Sequence, residues 1–257
     1  MIDPQDLPHP LTIAVAGGTG VVGRCTVDAV RAAGHHAISL SRGSGVDLVT
    51  GEGLDAALAG ADAVIDTANL STLSADKATR FFRTATGNLV AAAARAGVRH
   101  VVLLSIVGID RIPHQYYAGK LAQEAVVEAS PVPWSIQRAT QFHEFSAQLF
   151  ARAGIGPLHL APRARVQPVA AREVATHLAR LAAGGPVGRA VDLAGPREER
   201  LDDMVRAYAR RIGHRGWMPS VSLPGAQMKG MRAGLALPGP GAQVGAETFT
   251  EWLERTG

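Results

Sequence analysis

Short apolar runs alternate with stretches of helical spacing along the first 140 residues. Leu11–Ala16 reads as a buried strand closed by Gly17-Gly18, and Val21–Ala33 as a helix ended by Gly34. His36–Leu40 is a second strand. A short helix over Leu54–Ala59 leads to a third strand, Ala63–Asp66. Ala75–Ala96 carries Ala78, Phe81, Phe82, Ala85 and Leu89 on one side, so a helix is predicted there, ended by Gly97. His100–Ser105 is a fourth strand, Tyr116–Ala129 a helix and Trp134–Ala139 a fifth strand. Strands and helices alternating at this length predict an α/β fold: a doubly wound parallel sheet covered by helices on both faces.

Beyond residue 140 the pattern loosens. Phe142–Ala153, Arg172–Ala183 and Leu201–Ile212 have helical spacing, Ala190–Leu193 reads as a sixth strand, and Thr248–Arg255 as a closing helix. Gly213–Gly245 is rich in Gly and Pro and is expected to be mostly loop. No linker interrupts the chain. One domain over 1–257 is expected, with its core at about 11–140 and a C-terminal elaboration, about 141–257, folded over the substrate side of the sheet.

Composition narrows the options. With 47% hydrophobic and 19% charged residues, the 257-residue chain can bury a sizeable core. Its single cysteine, Cys25, cannot form an internal disulfide or a Cys-based metal site and is expected to pack against the sheet. The nine histidines include no pair at i,i+3 or i,i+4, so no metal site is expected. The longest apolar run, Val101–Ile109, is too short for a bilayer, and the acidic Met1–Asp6 start is unlike a signal peptide. A cytoplasmic protein without a membrane partner is expected. The formal net charge is +4, but the basic residues are mostly scattered arginines, with lysine only at Lys77, Lys120 and Lys229. That dispersion, with 5% aromatics, argues against a nucleic-acid partner.

The first strand–helix junction reads Gly17-Gly18-Thr19-Gly20-Val21-Val22-Gly23. A G-x-x-G-x-x-G loop placed there lets a pyrophosphate approach the backbone and meet the free N–H groups of a helix start. Gly23 then allows the helix to pack close to the strand. At the end of the second strand stands Ser41-Arg42, with no carboxylate before Asp47. An acid there would suit NAD, whereas a guanidinium with a hydroxyl suits a 2′-phosphate, so NADP(H) is the expected cofactor.

With Ser105 after the fourth strand and Tyr116-x-x-x-Lys120 on the next helix, these motifs resemble the short-chain dehydrogenase/reductase superfamily. More closely, the chain is similar to its atypical NmrA-like NAD(P)-binding branch. Ala91–Ser105, Pro133–Phe142, Gln167–Val169 with Glu173–Ala175, and Phe249–Leu253 extend the likeness over nearly the whole chain. The resemblance implies a Rossmann fold and an NADP-type cofactor. It leaves activity open, because the branch holds reductases, isomerase-like enzymes and regulators that bind the nucleotide without turnover.

On that resemblance Ser105, Tyr116 and Lys120 form a catalytic set. Tyr116 and Lys120 share a helix face at i,i+4. Lys120 binds the nicotinamide ribose and lowers the phenol's pKa, Tyr116 moves a proton, and Ser105 holds the substrate oxygen. Thr67-Ala68-Asn69 after the third strand and Ala139-Thr140 after the fifth are expected beside the cofactor, as open α/β sheets bind ligands at strand carboxyl ends. Asn69 reads equally as a turn residue. Tyr117, Gln141 and Phe142 are candidates for the small-molecule substrate, although Tyr117 and Phe142 read equally as packing residues. His114 and His143 are expected near the cleft. The expected activity is NADP(H)-dependent reduction of a small carbonyl or quinone-like compound. A non-catalytic NADP-responsive regulator, or an isomerase or lyase using the same pocket, are the alternatives.

Overall fold

The computed structural model describes residues 9–152, 154–155 and 158–256. Five strands form the body of a parallel sheet: β1 (Thr12–Ala16), β2 (His36–Leu40), β3 (Ala63–Asp66), β4 (His100–Ile106) and β5 (Trp134–Ala139). Their order is β2-β1-β3-β4-β5, continued by Leu193–Ala194 and Gln243–Val244, with Gly188–Arg189 also pairing with β5. Most β1, β3 and β4 side chains are buried, so these strands read as continuous apolar runs and not as alternation.

Nine helices are described: α1 (Val21–Ala32), α2 (Leu54–Leu58), α3 (Ala75–Arg95), α4 (Tyr116–Glu128), α5 (Phe145–Arg152), α6 (Ala171–Ala183), α7 (Leu201–Arg211), α8 (Ala226–Arg232) and α9 (Phe249–Arg255). On one face, Ala14, Val64, Leu103 and Ile136 pack with Leu89 of α3 and Val127 of α4. On the other, Ile13, Ile65 and Val102 pack with Val30 of α1 and Leu178 of α6. Burying a side chain such as Leu89 or Leu178 contributes about 1.5–3 kcal/mol, which anchors each helix layer. A third cluster joins Ile109, Ile112 and Tyr117 to Met204, Met231, Phe249 and Trp252 of the C-terminal part.

The helix and strand positions expected through residue 140 are observed to within one or two residues. The differences lie further on, where short strands such as Arg165–Val166, Glu199–Arg200 and Ser220–Val221 also appear that no apolar run announces. The sixth strand is not one run over Ala190–Leu193; it is split into Gly188–Arg189 and Leu193–Ala194, flanking an Ala190 amide that bonds to Ile136 O. The Gly213–Gly245 region contains α8. The Gly/Pro content hid it, yet Met228 and Met231 sit on the face turned to the third cluster. The helix expected from Phe142 begins at Phe145, because Phe142 bridges to Val169 and its carbonyl caps the Phe145 amide. Ala153 and Met1–Asp6 lie outside the described residues.

Candidate functional site

The chain order reverses about β1, whose neighbours are β2 and β3. The carboxyl ends of β1 and β3 therefore open a crevice at a topological switch point. The glycine loop stands there. Gly17 has φ +73°, and a Cβ would strike the Ala68 backbone at 3.0 Å. A Cβ on Gly18 would collide with Ser39 and one on Gly23 with the Gly17 carbonyl. Those three glycines are required by the protein's own packing, and Gly23 does bring α1 against the loop. Gly20 is different: it is exposed, with only the Gly17 oxygen within reach of a Cβ, at 3.2 Å.

The start of α1 is bare. α3 is capped by Ser74 and has Asp76 in its first turn, and α9 carries a Thr248–Glu251 capping box. Gly20 offers α1 no side-chain cap, and the first turn holds no acid. An uncapped helix start at the mouth of a glycine cradle fits a pyrophosphate, so the residues present fit a dinucleotide. Thr19 is exposed in the loop, while Val22 is buried and Val21 half-buried beneath it.

At the end of β2, Ser41 and Ser44 form a capping box around the turn Arg42–Ser44. The Arg42 side chain is exposed and has no ion-pair partner among the described residues. Asp47 is turned away into its own loop, where Oδ1 accepts from the Val49 amide at 2.7 Å and the Thr50 amide at 3.2 Å.

The facing wall is built from side chains. Tyr116 opens α4, and its hydroxyl donates to Asn69 Oδ1 at 2.8 Å, across from the glycine loop. Thr67 Oγ1 donates to the Ala16 carbonyl at 2.7 Å, tying the β3 exit to the β1 exit. Gln115 just before α4 has φ 52°, ψ −125°, a strained junction that sets where Tyr116 begins. Lys120 lies one turn on, 4% exposed. Its Nζ donates to the Leu104 carbonyl at 2.8 Å and to Gln123 Oε1 at 2.5 Å, 4.9 Å from the centre of the Phe82 ring. Burial lowers its pKa to about 8, against the pull of Asp66 and Glu124.

Burial raises the Tyr116 phenol, and Tyr117 adds to the rise, while the Lys120 ammonium is turned to the β4 end. Ser105 is 2% exposed, opposite Arg138 in the β4–β5 register, with its hydroxyl beside the Glu124 carboxylate.

The remaining candidates divide. Ala139 and Thr140 are buried, and Thr140 Oγ1 donates to the Gln167 carbonyl. Tyr117 packs in the third cluster; its hydroxyl accepts from Gln141 Nε2 at 3.1 Å, and burial pushes the phenol to about 12. The Gln141 Oε1 atom is buried without a partner. Phe142 packs against the core on the α1–α6 side. His143 is not in the cleft. It is fully buried against Phe249 and Trp252, and its Nε2 meets the Glu247 carbonyl at 3.1 Å. His114 is exposed ahead of α4, and Cys25 is half-buried at the edge of the α1–α6 core.

Sequence reasoning missed the buried charges around this wall. Asp66, 1% exposed, accepts from Thr86 Oγ1 at 2.7 Å, Gln123 Nε2 at 3.0 Å and the Ala68 amide at 2.9 Å. Glu124, also 1% exposed, is held by two bonds from Arg138 and one from Arg189. Burial alone would raise its carboxyl, but Arg138, the Ser105 hydroxyl and Arg189 pull it below the usual range. An acid ending an apolar strand, and an arginine inside β5, were the available signals. Among the described residues no group of three or more His, Cys, Asp or Glu is placed to hold a metal, and no helix is long and apolar enough to cross a membrane.

A family model described as NAD(P)H-binding matches residues 17–152, which span the glycine loop, α4 and β5. The chain belongs to this NAD(P)H-binding family. It is 31% identical over 223 residues to a (4-alkanoyl-5-oxo-2,5-dihydrofuran-3-yl)methyl phosphate reductase of Streptomyces griseus, covering 78% of this chain and 74% of that one. Among solved structures it resembles the Citrobacter sp. triphenylmethane reductase complexed with NADP(H), at TM-score 0.67 and 16% identity over 95% of this chain and 99% of the other. It also resembles an NADPH-dependent quinone oxidoreductase of Escherichia coli complexed with NADPH, at TM-score 0.66, 17% identity and the same coverage. At such identities the structural likeness is one of fold.

Proposed function

We propose that this family member is an NADPH-dependent reductase of a small carbonyl or quinone-like compound. The observation that carries the reading is the Tyr116 hydroxyl: it stands at the switch-point crevice, bonded to Asn69. A phenol is protonated at neutral pH and can give its proton in the reductive direction. When bound, the nicotinamide supplies a hydride. Tyr116 gives the accompanying proton to the substrate oxygen. Lys120, on the same helix face, keeps its ammonium at the β4 end on the Leu104 carbonyl and Gln123, and Ser105 contributes a buried hydroxyl beside Glu124 at the neighbouring strand end. The bare start of α1 takes the pyrophosphate. The exposed Arg42, with Asp47 turned away, favours a 2′-phosphate and hence NADPH.

The Streptomyces relative is named for reducing an oxo- and alkanoyl-bearing compound, which supports the same substrate class. The test follows NADPH oxidation with a panel of aldehydes, ketones and quinones. Tyr116→Phe keeps the ring but removes the donor, and should cut turnover by about 10²–10⁴-fold with NADPH affinity little changed. A regulator would oxidise no NADPH with any of them, and Tyr116→Phe would be silent.

A further inference from the structure

Lys120 and Tyr116 are joined twice: once by their helix, and once by a path through the sheet. From Lys120 Nζ the path runs to Gln123 Oε1, and the Gln123 amide nitrogen then donates both to Asp66 Oδ2 at 3.0 Å and to Thr86 Oγ1 at 2.9 Å. Thr86 itself donates to the same Asp66 oxygen. The other Asp66 oxygen accepts the Ala68 amide, fixing the turn that presents Asn69 to the Tyr116 hydroxyl. Asp66, Thr86 and Gln123 are each at most 1% exposed. The path draws on β3, α3 and α4, and every Gln123 polar atom in it is used.

The charges around Lys120 single out Asp66. On its own helix Lys120 faces Glu124, but Arg138 of β5 and Arg189 already bind that carboxylate. From α3 it meets the Phe82 ring and from β4 the Leu104 carbonyl, neither an anion. Asp66 on β3 has no ion pair of its own among the described residues. A buried ammonium and a buried carboxylate spanned by one amide compensate each other's desolvation.

We propose that Asp66 is the positioning residue of this site: through Gln123 it holds the Lys120 side chain and its charge, and through the Ala68–Asn69 turn it aims the Tyr116 hydroxyl. The role in turnover rests on the reductase reading; the control of Lys120 does not. Neither Asp66 nor Gln123 touches the reacting atoms.

The chain has three lysines, and Lys77 and Lys229 are exposed. Lysine labelled at Cε therefore gives three resolvable NMR signals in the cofactor-free protein, with two exposed references. Lys120 titrates near pH 8 in the unaltered chain, as its burial requires. Asp66→Asn keeps the side-chain shape and removes the charge, and should lower that midpoint by about one pH unit or more. Gln123→Met removes the bridge, should move the midpoint the same way, and carries the test if Asp66→Asn does not fold. The pH dependence of NADPH affinity should move by the same amount. An unmoved Lys120 midpoint in either folded variant overturns the inference, whatever the enzyme turns over. A moved midpoint in a protein that reduces no carbonyl or quinone supports the control of Lys120 and removes the reductase reading instead.

Discussion

The two walls of the crevice are made of different material. The glycine-loop wall is almost all backbone: Gly17, Gly18 and Gly23 are packed so tightly that no Cβ fits, and the helix behind them is left uncapped. The α4 wall is almost all side chain, with Tyr116, Lys120, Gln123, Asp66 and Thr86 joined by hydrogen bonds below the surface. Backbone N–H groups do not titrate, so the first wall offers the same positive end at any ordinary pH. In the second wall burial lowers the pKa of Lys120 to about 8, so its charge changes at a lower pH than that of an exposed lysine. The fold thus sets a backbone surface of constant charge opposite a side-chain surface whose charge depends on pH.

The largest effect expected on the backbone wall comes from Gly20→Val. Gly20 is the loop glycine whose Cβ would meet the least, only the Gly17 oxygen at 3.2 Å, so the variant should fold and lose NADPH affinity by more than about 100-fold, about 2.7 kcal/mol. Calorimetry showing unchanged affinity in a folded variant removes the cradle from the binding site. On the other wall, Glu124→Gln leaves Arg138 with its second carboxylate partner, Asp110, at 3.3 Å. Losing the charge-assisted bonds to Glu124 should cost about 1.5–3 kcal/mol, visible as a lower denaturant midpoint with an unchanged slope. A midpoint within error of the parent would show that the wall's charges do not hold it together.

Much of the first wall was legible because its requirements are local. Glycine spacing, strand before and helix after are all contained within residues 11–34. Tyr116 and Lys120 were legible for the same reason, being one helical turn apart. Asp66, Thr86 and Gln123 were not. They come from β3, α3 and α4, and the hydrogen bonds join residues 20 to 57 positions apart, a spacing no periodicity encodes. The α8 helix was hidden by the opposite cause: its Gly225 and Gly230 look like loop residues, but Gly230 is there because Ile112 leaves no room for a Cβ.

A smaller effect sharpens the cofactor side of the comparison. A well-formed guanidinium–phosphate pair contributes about 1.5–3 kcal/mol, so Arg42→Ala should lose about 10- to 150-fold in NADPH affinity. NADH affinity should be nearly unchanged. Equal affinities for the two nucleotides in the unaltered protein would count against Arg42 as the reader of the phosphate.

The smallest effect concerns stability. Burial lowers Lys120, so the folded chain releases that proton near pH 8 and the unfolded chain only near 10.5. Between those values the unfolded state holds more protons, and the residue's contribution to stability rises with pH. Denaturation of the parent and Lys120→Met across pH 7.5–10 should therefore give curves that converge or cross in the parent's favour as pH rises. Parallel curves would mean that Lys120 is not buried in solution.

The strand Gln243–Val244, which extends the sheet beyond Leu193–Ala194, is followed within five residues by α9, whose Phe249 and Trp252 cover His143. The consequence lies in the order of synthesis. Chains are made from the N-terminus at about 5–20 residues per second, and early segments begin to assemble first. Both walls of the crevice are synthesised by residue 140, whereas Phe249 and Trp252, which cover His143, are added more than about 100 residues later. For about 5–25 seconds of elongation, then, the crevice residues exist in a nascent chain whose sheet edge is open and whose His143 side is bare. A stop codon shortly before α9 should yield a product that chaperones retain and proteases clip near residue 143, even though every crevice residue is present.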